Sequence, residues 1–318
     1  MAIEQANVRV VRKPWGSTDL LPWCTVPVAE GAVGELWFER ADAQAPASAL
    51  LLKLLFTTQP LSIQVHPDDA FARALGEPHG KTEAWYVLSA TPGAQVAIGL
   101  KVPLSPPQLR SAIEDHSVAD KIQWRDVRRG DVVCVPAGTI HAIGAGLVIA
   151  EIQQRSDVTF RLFDYGRARE LHAAQAVAAT HFEALRPQAA PRALGNGRTL
   201  LAAMPYFVLE RIDLDAAASW SLDAEDETWA LMLDGSARIG GFDTPVGGAV
   251  FLKRERARIE AGPDGARILL AYAARVPRAD LLIAEPAQFS AGTGDPIAAF
   301  LKSPLSADTS LRAPEMRP

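Results

Sequence analysis

Cysteine is nearly absent from this chain, with Cys24 and Cys134 the two examples in 318 residues. They are far apart, and Cys134 lies inside the apolar run VVCVP. The sequence therefore offers neither a disulfide framework nor the clustered thiolates of a structural zinc site. Long hydrophobic runs are missing too. No stretch of about 18 apolar residues is available to span a bilayer, and MAIEQANVRVVRKPWG lacks the apolar segment of a secretion signal. A soluble, cytoplasmic protein with no membrane partner is predicted. Positive charge is not in excess: the net charge is -5, and no basic stripe interleaved with aromatics tracks a phosphate backbone. That excludes nucleic acid as the expected partner and means that an anionic small molecule would need a local basic pocket. Histidine is scarce and unevenly placed, since all six (66, 79, 116, 141, 172 and 181) precede residue 182.

What the chain does contain, 48% apolar and 22% charged residues, suits one large or two modest domains. GELWFER, LLKLLFTT, LSIQVH, EAWYVL, AQVAIGL, DVVCVP and LVIAEIQQ are short runs rich in Val, Ile, Leu and aromatics, separated by Gly, Pro and Asp. They predict a mostly β sandwich or barrel with a few short helices. Ser105-Pro106 has the order of an N-cap and first-turn proline for a helix over PQLRSAIED. The alanine-rich residues 168 to 185 read as a helix linking two halves, followed by a flexible linker, RPQAAPRALGNGRT.

The strand pattern resumes after about residue 200 and repeats the first half. EAWYVL, from Glu83, resembles ETWALM, from Glu227, and GDVVCVPAGTIHAI can be laid on GGAVFLKRERARIE, with His141 falling on Arg258. Two barrels of jelly-roll type are expected, over residues 1–185 and 186–285, with a tail over 286–318. The second barrel, lacking histidine, is expected to be metal-free and to pack against the first.

LSIQVHPDD carries polar residues where a buried strand would carry valine or leucine. Side chains alternate along a strand, so Ser62, Gln64 and His66 share one face and Leu61, Ile63 and Val65 the other. On the next strand Lys81, Glu83 and Trp85 share a face, and the PAGTIH turn delivers His141. Two imidazoles, a carboxylate and an amide oxygen suit a divalent metal such as zinc, and the same donors accept iron, manganese, cobalt or nickel. One carboxylate against a dication leaves net positive charge, which favours Lewis-acid chemistry over a structural role. His79, His116, His172 and His181 read as surface residues, and Asp68 and Asp69 as organisers of a turn after Pro67.

These blocks resemble a known family. GDVVCVPAGTIH has the Gly-x5-Pro-x-Gly-x2-His form of the second cupin motif. LSIQVHPDD, GKTEAWYVL and EIQQRSDVTFRLFDYGR followed by RELHAAQAV are similar to the signature blocks of type I mannose-6-phosphate isomerase in its shorter bacterial form. The chain has little room for the helical insertion that longer members carry between the metal strands. The resemblance implies one zinc held by Gln64, His66, Glu83 and His141 in a cupin barrel. It also implies interconversion of mannose 6-phosphate and fructose 6-phosphate, Arg161 as a catalytic residue, Glu151 as proton carrier with Lys81 as its rival, and Lys53 and Ser62 as contacts for the phosphosugar. Arginine stays charged, so Arg161 suits anionic oxygens rather than base catalysis. An iron-dependent dioxygenase and a non-catalytic sugar-binding cupin are the competing readings. Oxygen uptake would separate the first, and turnover the second.

Overall fold

The computed structural model describes residues 2–25, 31–183 and 187–285. The tail expected over 286–318 and the last two residues of the expected 168–185 helix lie outside them. The described residues form three antiparallel sheets of six, five and ten strands. No helix among them is long and apolar enough to cross a membrane. Each run predicted as a strand is one, from Val33–Glu39 through Leu50–Thr57, Glu83–Ala90 and Gln95–Leu100 to Leu147–Gln154. Helix Pro106–Glu114 also forms where Ser105 predicts it, and the Ser105 N–H donates to Gln108 Oε1 at 2.8 Å, closing the N-terminus.

The sheets stack because the strands alternate. In Leu50–Thr57 (LLLKLLFT), Leu50, Leu52, Leu54 and Phe56 enter a core shared with Trp229, Leu231, Phe251 and Leu269 of the ten-stranded sheet. Leu55, on the other face, packs with Trp85, Val87 and Val133 and with Val96 and Ile143 of the five-stranded sheet. The far face of that sheet, including Ile63, Val65 and Ala142, is covered by Leu109, Ile113 and Ala176 from the helices. A strand buried on both faces normally reads as unbroken hydrophobic sequence. The polar residues Lys53, Gln64 and Glu151 interrupt that rule in the layer between the six- and five-stranded sheets.

The two halves share strand pairings, but their sequence match is one residue out of register. Glu83 faces Val135, whereas it is Thr228, and not Glu227, that faces the corresponding Leu252. A one-residue slip turns every side chain to the opposite face. Trp85 therefore points into the interior of the first half, while Trp229 points into the core between the halves. Threonine thus stands where the first half has its carboxylate. The interior of the second half is filled by Met232, Val250, Ile259, Ile268 and Leu270.

Glu227 has a different task. Its buried carboxylate accepts hydrogen bonds from the backbone N–H groups of Ala49 (2.9 Å) and Leu50 (2.8 Å), tying the second half to the start of a strand in the first. Glu227→Ala would leave both donors unpaired. The expected loss is about 2–5 kcal/mol of unfolding free energy, read by urea denaturation.

Three local expectations are corrected. The alanine-rich helix is confined to Ala173–Ala179, because His172 is captured by the neighbouring strand: its N–H donates to Arg161 O (2.8 Å) and its Nδ1 accepts from Arg161 N–H (3.1 Å). The predicted flexible linker contains a hairpin. Arg192–Gly195 pairs with Arg198–Ala203 across Asn196-Gly197, both at positive φ (52° and 70°), the conformation an Asn-Gly turn favours. Finally, Leu61 precedes the short strand Ile63–Val65 and packs with Trp85 and Ile143 on the cavity side rather than with Ile63 and Val65.

Candidate metal centre

Five strands converge on the polar layer. Gln64 lies on Ile63–Val65 and is directly paired with His141 on His141–Ile143. Glu83 opens Glu83–Ala90, beside Gln153 of Leu147–Gln154, which carries Glu151 opposite Trp85. Arg161, on Phe160–Phe163, pairs with Gln64 from the other side. His66 follows directly after its strand, and its carbonyl accepts from Gly138 N–H (2.8 Å), linking the histidine loop to the PAGTIH turn.

His66, Glu83 and His141 are each 1% exposed, and their ligand atoms lie within 4.8 Å of one another. His66 Nε2 is 3.2 Å from Glu83 Oε1, and His141 Nε2 is 3.9 Å from Glu83 Oε2. Tetrahedral ligands at zinc-bond lengths of about 2.1 Å stand about 3.4 Å apart, so closing on a cation requires shifts of an ångström or so at most. Each imidazole is aimed by its other nitrogen. Nδ1 of His66 lies 2.8 Å from Val158 O and Nδ1 of His141 lies 2.8 Å from Thr139 O. A carbonyl can only accept, so both Nδ1 atoms carry the proton and both Nε2 lone pairs face the centre.

The electrostatics agree with a cation site. Burial, reinforced by Lys81, pushes His66 down to about 3, and burial also lowers His141, so both rings stay neutral ligands at physiological pH. Burial alone would raise Glu83, but Lys81, and then His66, hold it well below the usual carboxylate range. The Lys81 ammonium sits 2.8 Å from Glu83 Oε1 and 3.3 Å from His66 Nε2, so the donor set already draws a positive charge. Even so, Glu83 Oε1 is buried with no hydrogen bond aligned to it. A metal ion fits this acceptor and the two inward-facing lone pairs, which otherwise meet only long N–H contacts of 3.3 Å, from Lys81 Nζ to His66 and from Gln64 Nε2 to His141. The Gln64 amide is also in place, with Nε2 3.3 Å from His141 Nε2 and Oε1 accepting from Ser62 Oγ at 3.1 Å. Rotating the amide by half a turn presents its oxygen instead, while Ser62 can accept from the amide nitrogen.

A cavity of about 140 Å³ opens beside this group and is lined by Lys53, Ser62, Gln64, Lys81, Glu151 and Arg161, all of them site candidates from the sequence. Trp85 Nε1 donates to Glu83 Oε2 (3.1 Å) and to Glu151 Oε2 (3.2 Å), coupling the two carboxylates. Burial and then the Glu83 charge push Glu151 up to about 7, against the pull of Lys53 and Lys81. Lys53 Nζ lies 3.4 Å from Glu151 and 3.7 Å from Glu35. Arg161 also lines the cavity, and its Nε is buried without a hydrogen-bond partner.

Sequence reasoning missed Glu35. Its carboxylate lines the cavity, accepts from Trp37 Nε1 at 2.6 Å and is kept low by Lys53 and Lys13 although burial would raise it. The signal was the alternation in VGELWFE, where Leu36 and Phe38 enter the core and Glu35 must face the other way.

Comparison with known proteins decides the family. The chain is 32% identical over 218 residues to a Bacillus subtilis protein named "Putative mannose-6-phosphate isomerase YvyI", covering 64% of this chain and 68% of that one. The chain belongs to the mannose-6-phosphate isomerase family. It is also 39% identical over 142 residues to the mannose-6-phosphate isomerase of Streptococcus mutans, covering 43% of this chain and 45% of that protein. The match thus spans less than half the length of that relative, and 41% of ManA of Bacillus subtilis. The crystal structure of the mannose 6-phosphate isomerase from Bacillus subtilis superposes with a TM-score of 0.74 at 23% identity, over 86% of this chain and all of that one, which shows a shared fold. No family model matches the chain.

Proposed function

We propose that the protein is a metal-dependent aldose-ketose isomerase that interconverts mannose 6-phosphate and fructose 6-phosphate. The observation that carries the reading is the meeting of two buried, neutral imidazoles, an ionised carboxylate and an amide beside a cavity lined by a second carboxylate poised near neutrality. Isomerisation moves a proton between C2 and C1 of the opened sugar and builds negative charge on oxygen in an enediolate. We assign Gln64, His66, Glu83 and His141 as ligands of one zinc ion per chain, which would supply Lewis-acid stabilisation of that charge.

Glu151 takes the proton. A base that titrates near 7 is half available at neutral pH and readily returns what it has removed. Lys53 Nζ, 3.4 Å away, holds the carboxylate oriented, and Lys81 adds positive charge on the ligand side. The Arg161 guanidinium, charged and with Nε unpartnered, binds anionic oxygens of the sugar. Lys53 and Ser62 are assigned to holding the phosphosugar. The metal centre belongs to a first cupin barrel, over residues 1–185, and a second, metal-free barrel spans 186–285. The strand Ala2–Gln5 pairs with Ala249–Lys253 and so lends its residues to the second half's sheet. Neither Cys24 nor Cys134 is tied into a disulfide, which suits a reducing cytoplasm.

Incubation of metal-replete protein with mannose 6-phosphate is expected to yield fructose 6-phosphate, followed by a coupled assay. Turnover of a different phosphosugar alone would refute the substrate assignment. Arg161→Ala is expected to abolish measurable turnover with metal content unchanged, and an unaffected rate would place the active centre elsewhere.

A further inference from the structure

Lys81 and Glu83 both depend on the segment Gly80–Thr82, which lies outside any strand. Its backbone is pinned by hydrogen bonds. Gly80 N–H donates to Asp69 Oδ1 (2.8 Å), Lys81 N–H to Pro67 O (3.0 Å) and Thr82 N–H to Gln154 Oε1 (3.0 Å). Gly80 is packed so closely that a Cβ there would stand 2.5 to 2.7 Å from backbone atoms of residues 67–69. Asp69 is the hub of these contacts, because Oδ1 also accepts from Gln154 Nε2 (3.0 Å) and Oδ2 accepts from the Tyr206 hydroxyl (2.9 Å).

Tyr206 belongs to the second half, in the turn that precedes strand Val208–Leu214. Gln154 ends the strand that carries Glu151. One carboxylate therefore connects the histidine loop, the Lys81–Glu83 segment, the Glu151 strand and the other half of the molecule. Bonds to an ionised acceptor are short and roughly twice as strong as neutral ones. Each also has a defined direction, so together they fix the backbone in one place.

We propose that Asp69 and Tyr206 are positioning residues for the metal centre. Through Gly80 and Gln154, the Tyr206–Asp69 pair sets the aim of Lys81 and Glu83, so the half without a metal site of its own holds the site of the other. The inference rests on the metal-centre reading above and deepens it.

Three variants test it: Tyr206→Phe, which removes only the hydroxyl, Asp69→Ala, which removes the hub, and Asp69→Asn, which keeps its shape. Co2+ affinity by chelator competition, the visible Co2+ spectrum, thermal midpoint, kcat and KM are measured on the full chain. Asp69→Ala is expected to weaken Co2+ binding about 10-fold, the low end for an outer-shell partner. Tyr206→Phe shifts affinity and spectrum in the same direction by less, kcat falls while KM for mannose 6-phosphate holds, and Asp69→Asn recovers most of the loss. Variants that lose thermal stability yet keep wild-type Co2+ affinity, spectrum and kcat would overturn the proposal. If Asp69→Ala does not fold, Tyr206→Phe and Asp69→Asn decide it by the same readings. Wild-type protein that takes up no Co2+ would refute the metal centre, and the inference with it. Wild-type protein that binds Co2+ but turns over no mannose 6-phosphate would refute only the substrate, leaving affinity and spectrum to judge the positioning role.

Discussion

Glu151→Gln is expected to lower kcat by about 10²- to 10⁴-fold, the usual contribution of a positioned acid or base, while metal content stays at the wild-type level. Glutamine keeps the shape and can still accept from Trp85 Nε1, but it cannot carry the proton. The pH profile gives a second reading. Burial and the Glu83 charge raise the Glu151 carboxyl to about 7, and only its ionised form can act as base. The rate must therefore rise with pH through the group's titration and level off above it. A bound cation adds positive charge nearby, so in the loaded enzyme the rising limb of kcat/KM is expected below pH 7. That limb disappears in Glu151→Gln. A variant that retained both the rate and the limb would remove Glu151 from the chemistry and pass the role to Lys81.

His141→Ala carries a comparably large expected loss by a different route. It deletes one of the two aimed Nε2 lone pairs and leaves His66 and Glu83 with the Lys81 ammonium as their partner. Metal stoichiometry is expected to fall toward zero. Turnover should fall with it by about 10³-fold or more, since Lewis-acid stabilisation is worth several kcal/mol and each 1.36 kcal/mol is a factor of ten. Chelator-treated wild-type protein is expected to behave like the variant until zinc is returned, when wild type recovers and His141→Ala does not. Full activity in the variant with no bound metal would contradict the assignment.

Much of this site could be read in the sequence because its residues break local patterns. Gln64 and His66 stand where a strand sandwiched between layers should be apolar, and an unpaired polar group buried there would cost several kcal/mol. Glu151 interrupts LVIAEIQQ in the same way. Strand positions were legible for a related reason, since β-branched and aromatic runs between turn residues define them locally. What escaped depended on long-range partners. Ala2–Gln5 pairs with residues some 250 positions away, which no local pattern specifies. The repeat register is hidden because Glu83 and Glu227 look alike in sequence, whereas pairing with the neighbouring strand sets which residue faces inward. The shortened helix at Ala173 and the hairpin at Asn196-Gly197 are opposite lessons. Alanine content overstates the first, where a tertiary contact captures His172, and in the second the Asn-Gly turn signal outweighs the Pro- and Ala-rich composition around it.

The central claim is that the side chains of Gln64, His66, Glu83 and His141 bind one divalent cation together. Anomalous diffraction from crystals of the zinc-loaded protein, recorded on either side of the zinc absorption edge, tests it most directly. A single strong peak is expected within bonding distance of His66 Nε2, His141 Nε2, a Glu83 carboxylate oxygen and the Gln64 amide oxygen. A peak elsewhere on the chain, or none at this cavity in protein that isomerises mannose 6-phosphate, would contradict it.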